Sequence, residues 1–285
     1  AGFFALSSAW AKDAIRLNVT PLAVTFWRFS IGWALALIYV LVTRSRLSPR
    51  NYPSLILRGV FNAAAVLLLY WSVKYTTIAK ANLLNLTYPV FVALLGGALL
   101  GERLRRWDWP VLAAAMVGIY IIIDPQPTGV NWGDVLGLAC GITSALAILM
   151  LRSARQGNST ITVLFFLLTV GLVLTAPLML RENIAAYTAG TWWAVLACAT
   201  TGVLGQFALT LAFRHMTAFA GSLVGMVRVI ISTGLGLWWF DEHLSPQTIV
   251  GAGILLGALA AFGRQQSRKG NGGAPAQPEC GGREE

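Results

Sequence analysis

Long runs of almost uncharged residues, separated by short polar loops, constrain this chain more than any other feature. Hydrophobic residues make up 56% of its 285 positions and charged ones 11%, concentrated in blocks long enough to cross a bilayer. In lipid every backbone N–H and C=O must be satisfied within its own segment, and barrel strands would alternate with period two instead. The expected fold is therefore an all-α integral membrane protein. The formal charge of +10 resides in the loops between blocks, which is the pattern of membrane topology and not the basic stripe of a nucleic-acid binder.

One stretch occurs twice. Residues 74–104, moved forward by 140 positions, fall on 214–244 without a gap: Lys74 meets Arg214, Thr77 meets Thr217, Leu83 meets Leu223, Gly96 meets Gly236 and Glu102 meets Glu242. Each copy begins with a cation, runs through one apolar segment and ends in Glu-x-Leu.

Around that repeat the blocks read as ten transmembrane helices. Helix 1 ends near Lys12 and is expected to be cut short at its start, since eleven residues rise only about 16 Å. Helices 2 to 5 are expected near 21–43, 54–73, 79–100 and 107–123, and helices 6 to 10 near 133–152, 160–180, 191–213, 218–240 and 246–263. Residues 1–123 thus form a first five-helix repeat, 124–132 a Pro-rich linker, 133–263 a second repeat and 264–285 a polar tail expected to be disordered. An odd helix count inverts the second repeat relative to the first, the plan of secondary transporters that bind substrate between the halves near the midplane. With the N-terminus inside, inner loops and tail hold Arg44, Arg46, Arg50, Arg103, Arg105, Arg106, Arg152, Arg155, Arg214, Arg264, Arg268 and Lys269, against Lys12, Arg16, Lys74, Lys80 and Arg181 outside. Both termini are accordingly expected in the cytoplasm.

Ionisable residues inside a membrane are costly and mark pathways by default. Arg28 lies within helix 2, where it could snorkel to the interface, while Arg228 stands in the middle of helix 9, too deep to do so. Helix 4 presents Asn82, Asn85 and Tyr88 on one stripe, with Pro89 removing a backbone bond to residue 85. Tyr70, Trp71, Lys80 and Gln206 complete the candidate substrate-binding set. Pro89, Glu102 and Glu242 are read as structural or gating residues, with the two carboxylates placed at helix ends. Most tryptophans, Trp107, Trp109, Trp132, Trp192, Trp193, Trp238 and Trp239, fit interfacial belts, whereas Trp10 and Trp27 are further candidates for gripping a substrate. Gly133, Gly137 and Gly141, like the pairs Gly221/Gly225 and Gly253/Gly257, recur every four residues and read as packing seams. Cys140 and Cys198 sit in apolar blocks and Cys280 in the tail, without metal or disulfide spacing. No phosphate-binding loop and no metal or catalytic constellation is present, so neither cofactor, metal nor enzymatic activity is expected.

The repeat of Lys74-Tyr75-x-Thr77, a long helix and Gly101-Glu102-Arg103-Leu104, matched by 240–257, resembles the EamA-type repeat of the drug/metabolite transporter superfamily over residues 1–263. The resemblance implies a ten-helix carrier working by alternating access, in a superfamily with many metabolite exporters and a branch that exports aromatic amino acids. It also implies an Arg in helix 2, which Arg28 supplies; helix 7 has no counterpart. Cations without an intramembrane acid suit a substrate carboxylate, and aromatics suit an apolar side chain. The expected function is export of small metabolites, most of all amino acids including aromatic ones, across a bacterial cytoplasmic membrane. The alternatives are a carrier of phosphorylated or nucleotide-linked metabolites and a non-transporting membrane scaffold. Expected partners are a small-molecule substrate and lipid, not nucleic acid; the oligomeric state is left open, with a monomer sufficient.

Overall fold

Helices account for all the regular structure in the computed structural model, which describes residues 2–100, 108–123, 131–155, 157–179, 187–212 and 218–271. In chain order they are α1 (Gly2–Arg16), α2 (Pro21–Thr43), α3 (Tyr52–Tyr75), α4 (Ile78–Asn85), α5 (Tyr88–Leu100), α6 (Asp108–Ile123), α7 (Trp132–Arg155), α8 (Thr160–Met179), α9 (Ala189–Ala212), α10 (Ala218–Phe240) and α11 (Pro246–Asn271). Five of them, within α2, α3, α7, α8 and α9, are long and apolar enough to cross a membrane.

Local chemistry sets the ends. Thr20 caps α2 by accepting from the Ala23 N–H at 3.2 Å, with Pro21 in the first turn, and Arg44 closes the helix in the left-handed region at φ 49°. Ser245 plays the same part for α11, accepting from the Thr248 N–H at 3.2 Å before Pro246. α7 carries Asp134 in its first turn and Arg152 and Arg155 in its last, each sign at the favourable end of the helix dipole.

Two stretches differ from the sequence reading. The segment expected as one helix over 79–100 is broken at Leu86–Thr87 into α4 and α5. Pro89 cannot donate to the Asn85 carbonyl, and the chain instead turns tightly, with the Thr87 N–H on the Leu84 carbonyl at 3.2 Å and the Thr87 hydroxyl on the same carbonyl at 2.7 Å. The tail does not become irregular at Arg264: α11 continues to Asn271, because Arg, Gln and Lys are good helix formers and place cations near the helix C-terminus.

The principal packing pairs are α3 with α7, α6 with α11, α1 with α9 and α2 with α8; α3 also meets α8, α2 meets α9, and α4 meets α7 and α10. The α7 glycines are a true seam. A Cβ on Gly137 would lie 3.0 Å from Leu84, and one on Gly141 would strike the Thr87 hydroxyl and the Leu84 carbonyl, so the break in α4–α5 seats directly on α7. Gly253 and Gly257 correct the expectation of a seam: a Cβ there meets nothing within 4 Å, and the close approach is made by Gly118 and Gly251 of α6 and α11. Gly221 and Gly225 lie among side chains outside the described set.

Candidate functional site

Two arginines reach the interior where α1, α2, α3, α4, α7, α9 and α10 converge. Arg28, about two turns into α2, is only 6% exposed, so it does not snorkel to the interface. Its Nη1 donates to the Tyr70 hydroxyl at 2.7 Å and to the Ser7 hydroxyl at 3.3 Å, and its Nη2 donates to the Gly202 carbonyl at 3.3 Å. The lack of a side chain at Gly202 makes this possible, because a Cβ there would lie 2.8 Å from the guanidinium carbon. Behind it, Tyr70 Oη and Cys198 Sγ are 3.3 Å apart, and the Ser7 hydroxyl donates to the Cys198 carbonyl at 3.0 Å.

Arg228 comes from the middle of α10 to the α4 break. Its Nη1 donates to Asn85 Oδ1 at 3.0 Å. The Asn85 amide nitrogen in turn donates to the Ser144 hydroxyl at 2.9 Å and approaches Cys140 Sγ at 3.0 Å, while the Cys140 thiol donates to the Ala65 carbonyl at 3.1 Å. The Arg228 Nε is buried with no hydrogen-bond partner. Phe4 joins the two clusters: its ring centroid is 5.8 Å from the Arg28 guanidinium carbon and 5.3 Å from that of Arg228. Neither arginine is in an ion pair among the described residues. Gln206, one turn beyond Gly202 on α9, is buried and its Nε2 has no partner.

The structure thus brings Arg28, Tyr70, Asn85 and Arg228 together around Phe4, with Gln206 on the helix that flanks them. Other candidates are elsewhere. The Asn82 amide donates back to the Ile78 carbonyl at 2.8 Å, and its oxygen accepts from Ser8 at 3.5 Å. Lys80 is ion-paired with Asp134 at 2.7 Å, which ties α4 to α7 and withdraws it from the set of free cations. Trp71 stacks on Tyr75 beneath Lys74 at the end of α3. Tyr88 packs on an apolar cluster with Val90 and Leu255, yet it is near enough to Arg228 to interact with it electrostatically, so it borders the Arg228 cluster and does not lie apart from it. Trp10 meets Trp239, and Trp27 meets Trp192, both away from the arginines. Glu102 lies outside the described residues. Glu242 is 8% exposed; its carboxylate pairs with Lys12 of α1 and accepts from the Ile78 N–H at 3.0 and 3.1 Å, so it also caps α4, whose own cap Thr77 accepts from Lys80 N at 3.1 Å. Sequence reasoning missed Phe4 and Ser7 and read Cys140 and Cys198 only as lacking metal or disulfide spacing.

A bundle with a polar, cationic interior and a broken helix beside it is the architecture of a membrane carrier. Residues 1–124 and 131–263 match the EamA-like transporter family. The chain belongs to that family. This EamA-like protein is an integral membrane transporter and not an enzyme. It is 27% identical over 264 residues to the pseudopaline exporter CntI of Pseudomonas aeruginosa, covering 92% of each chain. It is also 27% identical to an uncharacterized transporter of Archaeoglobus fulgidus, with 85% of this chain and 86% of the relative covered, and 22% identical to the riboflavin transporter of Rhizobium johnstonii, with 90% and 85% covered. One solved crystal structure shares the fold at a TM-score of 0.65, covering 94% of this chain and 97% of its own, at 20% identity.

Proposed function

We propose that this transporter exports small carboxylate-bearing metabolites, amino acids and aromatic ones foremost, by alternating access across the bacterial cytoplasmic membrane. The observation that carries the reading is Arg228: a guanidinium in mid-helix, held on one side by Asn85, with a buried Nε that has no partner and an aromatic ring against its face. A carboxylate is the natural complement of that edge, and Phe4 with Tyr70 supplies surface for an apolar side chain. The named relatives, an exporter of pseudopaline and a riboflavin transporter, support small metabolites as cargo.

Ten membrane helices in two inverted five-helix repeats supply the mechanism, with α4 and α5 together counted as the fourth. A constant register supports the repeat. α10 begins at Ala218 and ends at Phe240, each 140 positions after Ile78 and Leu100, the bounds of the α4–α5 pair. Exchange of halves also turns the α3–α7 contact into α9–α1, α3–α8 into α9–α2 and α4–α7 into α10–α1, and returns α2–α8, α6–α11 and α4–α10 to themselves. In this scheme Glu242 gates one end by tying α1, α4 and the α10–α11 loop, Pro89 maintains the break, and Glu102 is the sequence counterpart of Glu242 at the other end. Cation counts favour both termini in the cytoplasm, which makes the Glu242 end periplasmic.

Proteoliposomes loaded with radiolabelled amino acids test the assignment. Efflux of at least one, lost in Arg228→Ala, is the expected result. Retention of every amino acid by the unsubstituted carrier would end the substrate assignment, and undiminished efflux by the variant would remove Arg228 from the site.

A further inference from the structure

A third arginine in the membrane belongs to neither cluster. Arg58 of α3 is 2% exposed, its Nε has no hydrogen-bond partner, and no ion pair holds it among the described residues. Arginine cannot shed its proton to relieve burial, so a guanidinium without a partner demands an anion. Arg58 lies on the stripe of α3 that faces α7. The same stripe places Ser54 on Ser153 (2.8 Å), the Ala65 carbonyl on Cys140 (3.1 Å) and Ser72 on the Gly133 carbonyl (2.7 Å). Asn62, also buried, is one turn along this stripe, between Arg58 and Ala65.

Its position in the bundle is informative. The far end of α3 meets the gate, since Lys12 donates to the Thr76 carbonyl at 3.3 Å. Arg58, near the start of α3, is therefore at the opposite end, about 18 Å along the helix from Tyr70 and about 10 Å from Ala65. Moved by the repeat register of 140, Arg58 falls on Cys198 and Asn62 on Gly202, the two positions of α9 that border Arg28. A guanidinium thus stands at each of the two levels that the register relates, Arg58 on α3 itself and Arg28 against the matching positions of α9, and the first half supplies both. Where Arg28 is engaged by Tyr70, Ser7 and Gly202, Arg58 has no such partners among the described residues, and its Nε is buried without one.

We propose that Arg58 is a second oxyanion station, on the side of the bundle away from the Glu242 gate, and that it receives the carboxylate of the substrate before or after Arg228 does. The identity of the anion rests on the export reading above; the station itself does not. The test is thermal unfolding of the purified full chain titrated with sodium benzoate against sodium chloride at constant ionic strength, in neutral lipid and in lipid containing phosphatidylglycerol. In neutral lipid, benzoate should raise Tm by roughly 2–4 °C more than chloride does. That gain should persist in part in Arg228→Leu, shrink in Arg58→Lys, and lose its Arg58 share in Arg58→Leu. The Arg58→Leu variant should itself melt no lower than the parent without benzoate, since an apolar side chain replaces a buried charge. Equal benzoate gains in the parent and Arg58→Leu would overturn the station. A gain that requires Arg58 but appears only with phosphatidylglycerol would replace the substrate by a lipid headgroup. Loss of the gain in Arg228→Leu alone would leave the substrate site and remove this one.

Discussion

Arg28 and Arg228 flank the same Phe4 ring, yet the protein treats them differently. Three hydrogen bonds spend both terminal nitrogens of Arg28 on Tyr70, Ser7 and the Gly202 carbonyl, and the backbone has given up a side chain at Gly202 to let it in. Among the described residues Arg228 makes one bond, to Asn85, and keeps its Nε buried and without a partner. A guanidinium that the protein has already satisfied organises its surroundings; one that it leaves half-satisfied is available to a ligand. The difference divides the interior into a fixed corner, where α1, α2, α3 and α9 are tied together, and a receptive one beside the α4 break.

Substitution can break this division. Arg228→Ala should lower efflux on the order of 10- to 100-fold, the worth of a charge-assisted hydrogen bond, with little change in melting temperature. Arg28→Leu should do the reverse, costing about 1–3 kcal/mol of stability by stranding the Tyr70 and Ser7 hydroxyls and the Gly202 carbonyl, as read by unfolding in detergent. If both variants lost the same property, the two arginines would be one site. Gly202→Ala sharpens the comparison, because a methyl group 2.8 Å from the Arg28 guanidinium carbon should cost about 1–3 kcal/mol by overpacking without altering substrate affinity. Smallest in effect, Gly253→Ala should be neutral or stabilising by up to about 1 kcal/mol in the same assay, since its face is open.

How much of this was legible in the sequence follows from what sets each feature. The apolar blocks and their caps delimited α2 and α10 at the residues observed, because in lipid a backbone must close its own hydrogen bonds and the chain marks where it stops doing so. Pro89 announced a break in the fourth span, but its placement at Leu86–Thr87 depended on the Thr87 hydroxyl and on Gly141 across the seam, which pairwise packing alone decides. Arg228 and Asn85 were visible as polar residues deep in apolar helices. Lys80 looked equally available, and only the fold shows that Asp134, fifty-four positions away, takes it. Phe4 and Ser7 gave no signal as a Phe and a Ser in an apolar helix; they acquire meaning from the two guanidiniums that reach them. Arg58 did carry a signal, a cation four residues before Asn62 on the buried stripe of α3, and the loop-charge count passed over it.

The Arg228–carboxylate contact is most directly measured by isothermal titration of the purified carrier with L-phenylalanine and with phenethylamine, which share the ring and the amine but not the carboxylate. The account predicts that L-phenylalanine binds, that phenethylamine binds on the order of tenfold or more weakly, and that Arg228→Gln abolishes the difference between them. Equal binding of the two ligands by the unsubstituted protein, or a carboxylate preference that survives Arg228→Gln, would contradict it.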